Sequence, residues 1–329
     1  MYTLFGALGS PYSMKLRAIM RYRRITHIWQ HGAISQQTAS KLRAPVIPVL
    51  QFPDGTIAND TTPLIYTLEE RHEGRPIVPD DPGMAFLAHL IEDYADEWVT
   101  KAMFGYRWLE EVDQKQMSKW LAVDSMKGGS LEKIEQFADY FTERQVGRMA
   151  LVGCTRENFP LIEASTRRLL QALEEHVVNE QWLLGSKPSM AEFGLYGQLS
   201  QLGTDPTAQE MLRADYPFTF RWLAHVDDAS GIEGEWDAPD ADLKPVTKTI
   251  LAEAGRCYVP FLLANAAAAE AGEETFRMEV DGMPYEQGVF KYQLKCLADL
   301  RARYAALPAD AKTRIDPILA EAGCLEFLS

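Results

Sequence analysis

The chain has 329 residues, 47% of them hydrophobic and 24% charged, enough for two or more domains with cores of their own. Its formal charge of -14, from 33 basic and 47 acidic side chains, argues against a general nucleic-acid or anionic-membrane binder, because such proteins draw their affinity from basic surface. The longest apolar stretch, "YVPFLLANAAAA" from Tyr258, is too short to span a bilayer and contains Pro260, and no signal-type run opens the chain, so a cytoplasmic location is expected.

In chain order, "YTLFG" (residues 2–6) reads as a strand. Ser10 followed by Pro11 reads as an N-cap with proline in the first helical position. Tyr12, Leu16 and Ile19 then share one face of a helix and Arg17, Arg21 and Arg24 the opposite one, so this helix packs on a sheet. "SPYS" (residues 10–13) stands where a C-P-Y-C dithiol would open such a helix, with both thiols replaced by hydroxyls. Thiol–disulfide exchange through this motif is therefore excluded. "ITHIWQ" (residues 25–30) is a second strand, and "PVLQF" and "TIAN" flank a Pro53-Asp54-Gly55 turn as a hairpin. Asp60 or Thr61 caps a helix running to about Arg71.

Prolines and acidic residues replace the periodic apolar ones in "GRPIVPDDPG" (residues 74–83), which marks a linker. From Met84 to about Val226 the periodicity is helical, with Ser189 and Glu192 forming a capping box. The sequence thus predicts an α/β domain over 1–75, an all-α helical bundle over 84–236 and an extension over 237–329. The extension reads as helix bent at Pro260, a hairpin in which Phe276, Met278 and Val280 share one face before Asp281-Gly282, and helix again. A lone hairpin is marginal, so the extension is expected to pack on the helical domain. The four cysteines, Cys154, Cys257, Cys296 and Cys324, form no CxxC pair and read as reduced, mostly buried thiols; the six histidines do not cluster, and no metal site is expected.

The β-α-β then β-β-α order, the linker, "VIPVL", "NDTTPLI" and "LLGSKPSMAEF" together resemble the glutathione transferase family over residues 1 to about 226. The resemblance implies a thioredoxin-like first domain, glutathione as co-substrate, a homodimer and a small apolar electrophile, with no nucleic-acid or membrane partner. By resemblance to serine-type members, Ser10 would hold and activate the glutathione sulfur; the plainer reading of the residue is a helix cap alone, and Tyr12 and Ser13 are alternative donors. Ile47 would pair its backbone with the cysteinyl part, before a cis Pro48. Asp60 and Thr61 would hold the γ-glutamyl group, and Lys41 or Arg43 the glycyl carboxylate. Here the chain departs from the family pattern, since Pro45 and Val46 replace a more usual glycine and lysine. The electrophile pocket is expected at the helices that open the second domain, with Tyr106 and Trp108 as its residues, although core packing explains that aromatic stretch as well. The alternative function is a non-catalytic binding or assembly module of the same fold.

Overall fold

A computed structural model describes residues 1–126 and 128–328. They divide into two compact units interleaved along the chain, one of residues 1–77, 106–146 and 193–233, the other of 78–105, 147–192 and 234–328.

The first unit is built on a four-stranded sheet. Strands β1 (Tyr2–Phe5), β2 (His27–Gln30), β3 (Val49–Gln51) and β4 (Ile57–Asn59) lie in the order β2-β1-β3-β4, with β1 parallel to β2 and the other pairs antiparallel. Helix α1 (Pro11–Tyr22) connects β1 to β2, α2 (Ala33–Ala39) fills the crossover, and α3 (Thr61–Arg71) follows β4. This is the thioredoxin-like arrangement. The apolar side of α1 closes the core through Leu16 and Met20 against Leu4, Leu50, Leu64 and Leu68, none more than 3% exposed. Its outer side is held by charge: Arg17 and Arg21 bond Asp227, and Arg24 reaches Ser230 and Glu233. Between β3 and β4 the turn needs Gly55 at φ +88°, while Asp54 accepts from the Thr56 backbone and hydroxyl.

The register decides what this sheet presents. Phe5 stands opposite Val49, and Val49 opposite Asn59. The end of β1, the start of β3 and the end of β4 therefore form one row, and the loops beyond them, with Ser10, Pro48 and Asp60, leave the sheet at the same edge.

Helical chain follows the sheet. A helix with Asp81 as its N-cap and Pro82 in its first turn, α4 (Pro82–Tyr94), runs through a π turn at Ala95–Val99 into α5 (Thr100–Trp108). Then come α6 (Glu111–Ser125), α7 (Leu131–Val146), α8 (Phe159–Val177), α9 (Met190–Leu202), α10 (Pro206–Asp215) and α11 (Pro217–Asp227). Before α9 the Glu192 carboxylate accepts from the backbone of both Ser189 and Leu183, and the Ser189 hydroxyl oxygen accepts from Ala191. The glutamate half of the box closes as expected, while the Ser189 hydroxyl takes the N–H two residues on rather than three.

In the second unit α12 (Pro245–Glu253) passes through another π turn, Ala254–Tyr258, into α13 (Val259–Ala271). The irregularity expected at Pro260 takes the form of the π turn in the residues before it; Pro260 itself stands in the first turn of α13, where its missing N–H costs little. Strands β5 (Thr275–Val280) and β6 (Met283–Gly288) pair antiparallel around Asp281 and Gly282, both at positive φ, and α14 (Lys291–Ala305) and α15 (Ala309–Glu321) follow. Phe276 and Val280 are buried and Met278 half-buried. Their side of the hairpin meets an aromatic cluster in which Phe261 stands edge-on to Trp98 and Phe276 at 5.6 Å and to Tyr285 at 6.0 Å. Two buried asparagines tie the hairpin down by imitating a strand edge. Asn158 gives and takes a bond with the Glu286 backbone, and Asn265 does the same with Phe290.

Candidate functional site

The site is assembled at the sheet edge of the first unit, beginning with the loop before α1. Ser10 is the N-cap of α1, with extended backbone at φ −105° and ψ 116°, and its hydroxyl oxygen accepts from the Ser13 backbone N–H at 3.3 Å. That bond occupies a lone pair and leaves the Ser10 proton free to donate outward, at the positive end of the helix dipole. Tyr12 is half-buried. Ser13 is fully buried; its hydroxyl has no hydrogen-bond partner among the described residues and faces Gly6 beside Trp29.

Three groups fix the loop that delivers Ser10. Leu8 N–H donates to Asp124 at 3.1 Å, Leu8 C=O accepts from Gln201 at 3.2 Å, and Gly9 C=O accepts from Arg107 at 2.8 Å. A Cβ on Gly9 would fall 2.0 Å from a methyl of Leu121, so a side chain there would have to displace Leu121. Arg107 is 2% exposed and grips Asp205, which is fully buried, through Nε and Nη2 at 2.9–3.0 Å, with Gln201 taking Nη2 at 2.8 Å. Burial pushes the Asp205 carboxyl up to about 6, against the pull of Arg107.

The second wall is the entry to β3. The Ile47–Pro48 peptide bond is cis, Pro48 is buried and Ile47 half-buried. The segment ahead of it is held by Asn59 at the end of β4, whose amide donates to Ala44 C=O at 2.7 Å and Val46 C=O at 3.2 Å. Lys41 and Arg43 are exposed on this segment.

The third wall is the start of α3. Asp60 is exposed, sits at φ +75°, a region that a side chain occupies only under local strain, and makes no side-chain cap bond. Thr61 is 4% exposed, and its hydroxyl oxygen accepts from the ammonium of Lys15, itself fully buried, at 3.3 Å.

The register and these bonds bring Ser10, Ile47, Pro48, Asp60 and Thr61 to one edge. Tyr106 and Trp108 are 7% and 1% exposed; the Tyr106 hydroxyl donates to the Met211 sulfur at 3.4 Å, and Trp108 packs on Phe141 at 5.9 Å. Sequence reasoning missed Arg107, Asp124, Gln201, Asp205, Asn59 and Lys15. Lys15 alone left a signal, because it shares helical spacing with Pro11, Ala18 and Tyr22, all buried.

Elsewhere, the second unit carries a groove of about 540 Å³ between α8 and α12, where Arg168 and Arg256 both bond Glu253. The four cysteines are buried free thiols. Among the described residues there is no group of three or more His, Cys, Asp or Glu side chains that could hold a metal ion. No helix among them is long and apolar enough to cross a membrane.

A thioredoxin-like sheet followed by a mostly helical chain defines the class of fold. The glutathione S-transferase N-terminal domain matches residues 4–76, and the glutathione S-transferase C-terminal domain matches residues 154–225. Both domains of the glutathione S-transferase family are thus matched in the chain. Among solved structures it is similar to a glutathione S-transferase from Rhodospirillum rubrum F11, at 15% identity over 76% of this chain and 92% of that one, with a TM-score of 0.46. A glutathione S-transferase from Methylobacillus flagellatus KT, solved with GSH bound, matches at 17% identity over 70% of this chain and 94% of that one, TM-score 0.40. A β-etherase from Sphingobium sp. strain SYK-6 matches at 14% identity over 76% and 98%, TM-score 0.45. No curated protein sequence matches the chain.

Proposed function

We propose that the protein is a glutathione transferase in which Ser10 holds the glutathione sulfur as a thiolate for attack on a small apolar electrophile. The observation that carries the reading is the Ser10 hydroxyl, which accepts in its own helix cap and so has its proton to give, on a loop fixed by Asp124, Gln201 and Arg107. A free thiol with a pKa of about 8.5 is only a few per cent ionised at neutral pH. Lowering that value by about two units requires about 2.7 kcal/mol of preference for the anion. A hydrogen bond to the sulfur supplies roughly 1.5–3 kcal/mol and a helix N-terminus about 0.3–2 kcal/mol, so the two together suffice.

In the proposed reaction the thiol proton leaves to solvent and the sulfur lone pair forms a bond to an electrophilic carbon. The displaced group departs with its electron pair, or, in an addition, the substrate takes up a proton. Ile47 would meet the cysteinyl backbone beside Pro48, Asp60 and Thr61 the γ-glutamyl end, and Lys41 or Arg43 the glycyl carboxylate. A homodimer in the cytoplasm belongs to the same reading. Titration calorimetry with glutathione, paired with turnover of an activated chloroarene, tests it. Saturable binding with turnover is expected. Binding without turnover of any electrophile would favour a binding module, and absence of binding would overturn the reading.

A further inference from the structure

We propose that Lys15 is a positioning residue that sets the preference of this site for γ-glutamyl thiols, acting through Thr61; the inference rests on the reading that glutathione occupies the sheet edge. Lysine is almost never fully buried unless its ammonium has a task. Lys15 is 0% exposed, in the stripe of α1 that also buries Pro11, Ala18 and Tyr22, and its Nζ lies 3.3 Å from Thr61 Oγ1.

The direction of that bond determines what Thr61 does. An ammonium has three donors and no lone pair, so the Thr61 oxygen must accept, and its own proton is left to donate. Thr61 is the first residue of α3, so the position four residues back is Ile57 in β4 and offers no helical carbonyl. Among the described residues, Thr61 donates to no acceptor of the protein. The hydroxyl is therefore a donor, polarised by a cation behind it, at the N-terminus of a helix whose N-cap Asp60 makes no side-chain cap bond. A carboxylate is the group that this combination of donor, cation and dipole recognises. The α-carboxylate of a γ-glutamyl group is the one glutathione offers at this end. Cysteinylglycine has the same thiol and glycyl end without it.

The test compares dissociation constants for glutathione and for cysteinylglycine, measured by calorimetry on the full-length protein, its Lys15→Met and Thr61→Val variants, and the double variant. Lys15→Met is expected to weaken glutathione about tenfold and to leave cysteinylglycine unchanged, as the loss of one charge-assisted hydrogen bond predicts. Thr61→Val should show a similar loss, and the double variant should lose little more than either, because both remove one interaction. A merely structural role for Lys15 would weaken the two thiols equally, and additive losses would place Lys15 and Thr61 in separate roles; either result overturns the proposal. If Lys15→Met does not fold, Thr61→Val decides, and an unselective effect there overturns it as well. A parent protein that binds neither thiol, or both equally, would instead overturn the reading of the site.

Discussion

The two units use buried charge differently: some of it supports the candidate site in the first, and some of it ties the extension down in the second. In the first unit two buried cations end at the candidate site, Arg107 on the carbonyl that precedes Ser10 and Lys15 on the hydroxyl of Thr61, while a third, Arg23, holds Glu69 and the His72 carbonyl. In the second unit a buried cation, Lys101, ends on the extension. Lys101 is 1% exposed and donates to Val152 C=O at 2.9 Å and to Gln287 of β6 at 3.0 Å, with the Phe261 ring 4.3 Å below it. Burial lowers its pKa to about 8. The carboxyl of Asp93 is likewise met by the Tyr258 hydroxyl of the π turn at 2.6 Å. Similar buried charges thus serve an open edge in one unit and a closed interior in the other.

The largest effect should come from breaking the Arg107–Asp205 pair. Arg107→Ala leaves Asp205 buried without its cation and should cost about 3–5 kcal/mol of stability in denaturant unfolding. Replacing both partners by apolar residues, as in Arg107→Met with Asp205→Leu, should recover most of that stability. Conjugation should stay impaired in the double variant, because Gly9 C=O still lacks its donor. A double variant as active as the parent would reduce the pair to a structural role and erase the contrast between the units.

A smaller effect, of opposite sign, is expected in the second unit. Burial raises the Asp93 carboxyl to about 7, against the favourable charge of His89. A carboxyl whose folded pKa lies above its unfolded value binds its proton more tightly in the folded state, so its contribution to stability falls as pH rises from about 4 to about 7. Asp93→Asn should therefore raise the thermal midpoint at about pH 8 by a few degrees and by much less near pH 4.5, with glutathione affinity unaffected. A midpoint lowered at about pH 8 would mean that the charged form is stabilised where it lies.

Much of the first unit was legible in the sequence because its signals are local. Ser10-Pro11 opens α1, Pro53-Asp54-Gly55 turns the hairpin, and Thr61–Arg71 is the helix that the cap at Asp60 or Thr61 announced. The strand pattern also gave the thioredoxin-like order, from which the row of Phe5, Val49 and Asn59 follows. The supports of the Ser10 loop were not legible. Asp124, Gln201 and Arg107 reach Leu8 and Gly9 from 116, 193 and 98 residues away, and nothing in their own neighbourhoods distinguishes them. The π turns at Ala95–Val99 and Ala254–Tyr258 escaped for a related reason, since one extra residue in a helical turn scarcely disturbs an apolar period. Tyr106 and Trp108 show the limit of composition: an aromatic run looks the same whether it lines a pocket or fills a core, and here both side chains are buried.

The proposed role of the Ser10 hydroxyl is to stabilise the sulfur of glutathione as an anion. Ultraviolet difference titration of bound glutathione, in the parent protein and in Ser10→Ala, measures it directly. The bound thiol should ionise well below its free value of about 8.5, and Ser10→Ala should raise that value by roughly one to two units with glutathione still bound, matching a loss of about 1.5–3 kcal/mol and at least tenfold in rate near neutral pH. An identical titration in both proteins would contradict it and leave Ser10 as a helix cap alone.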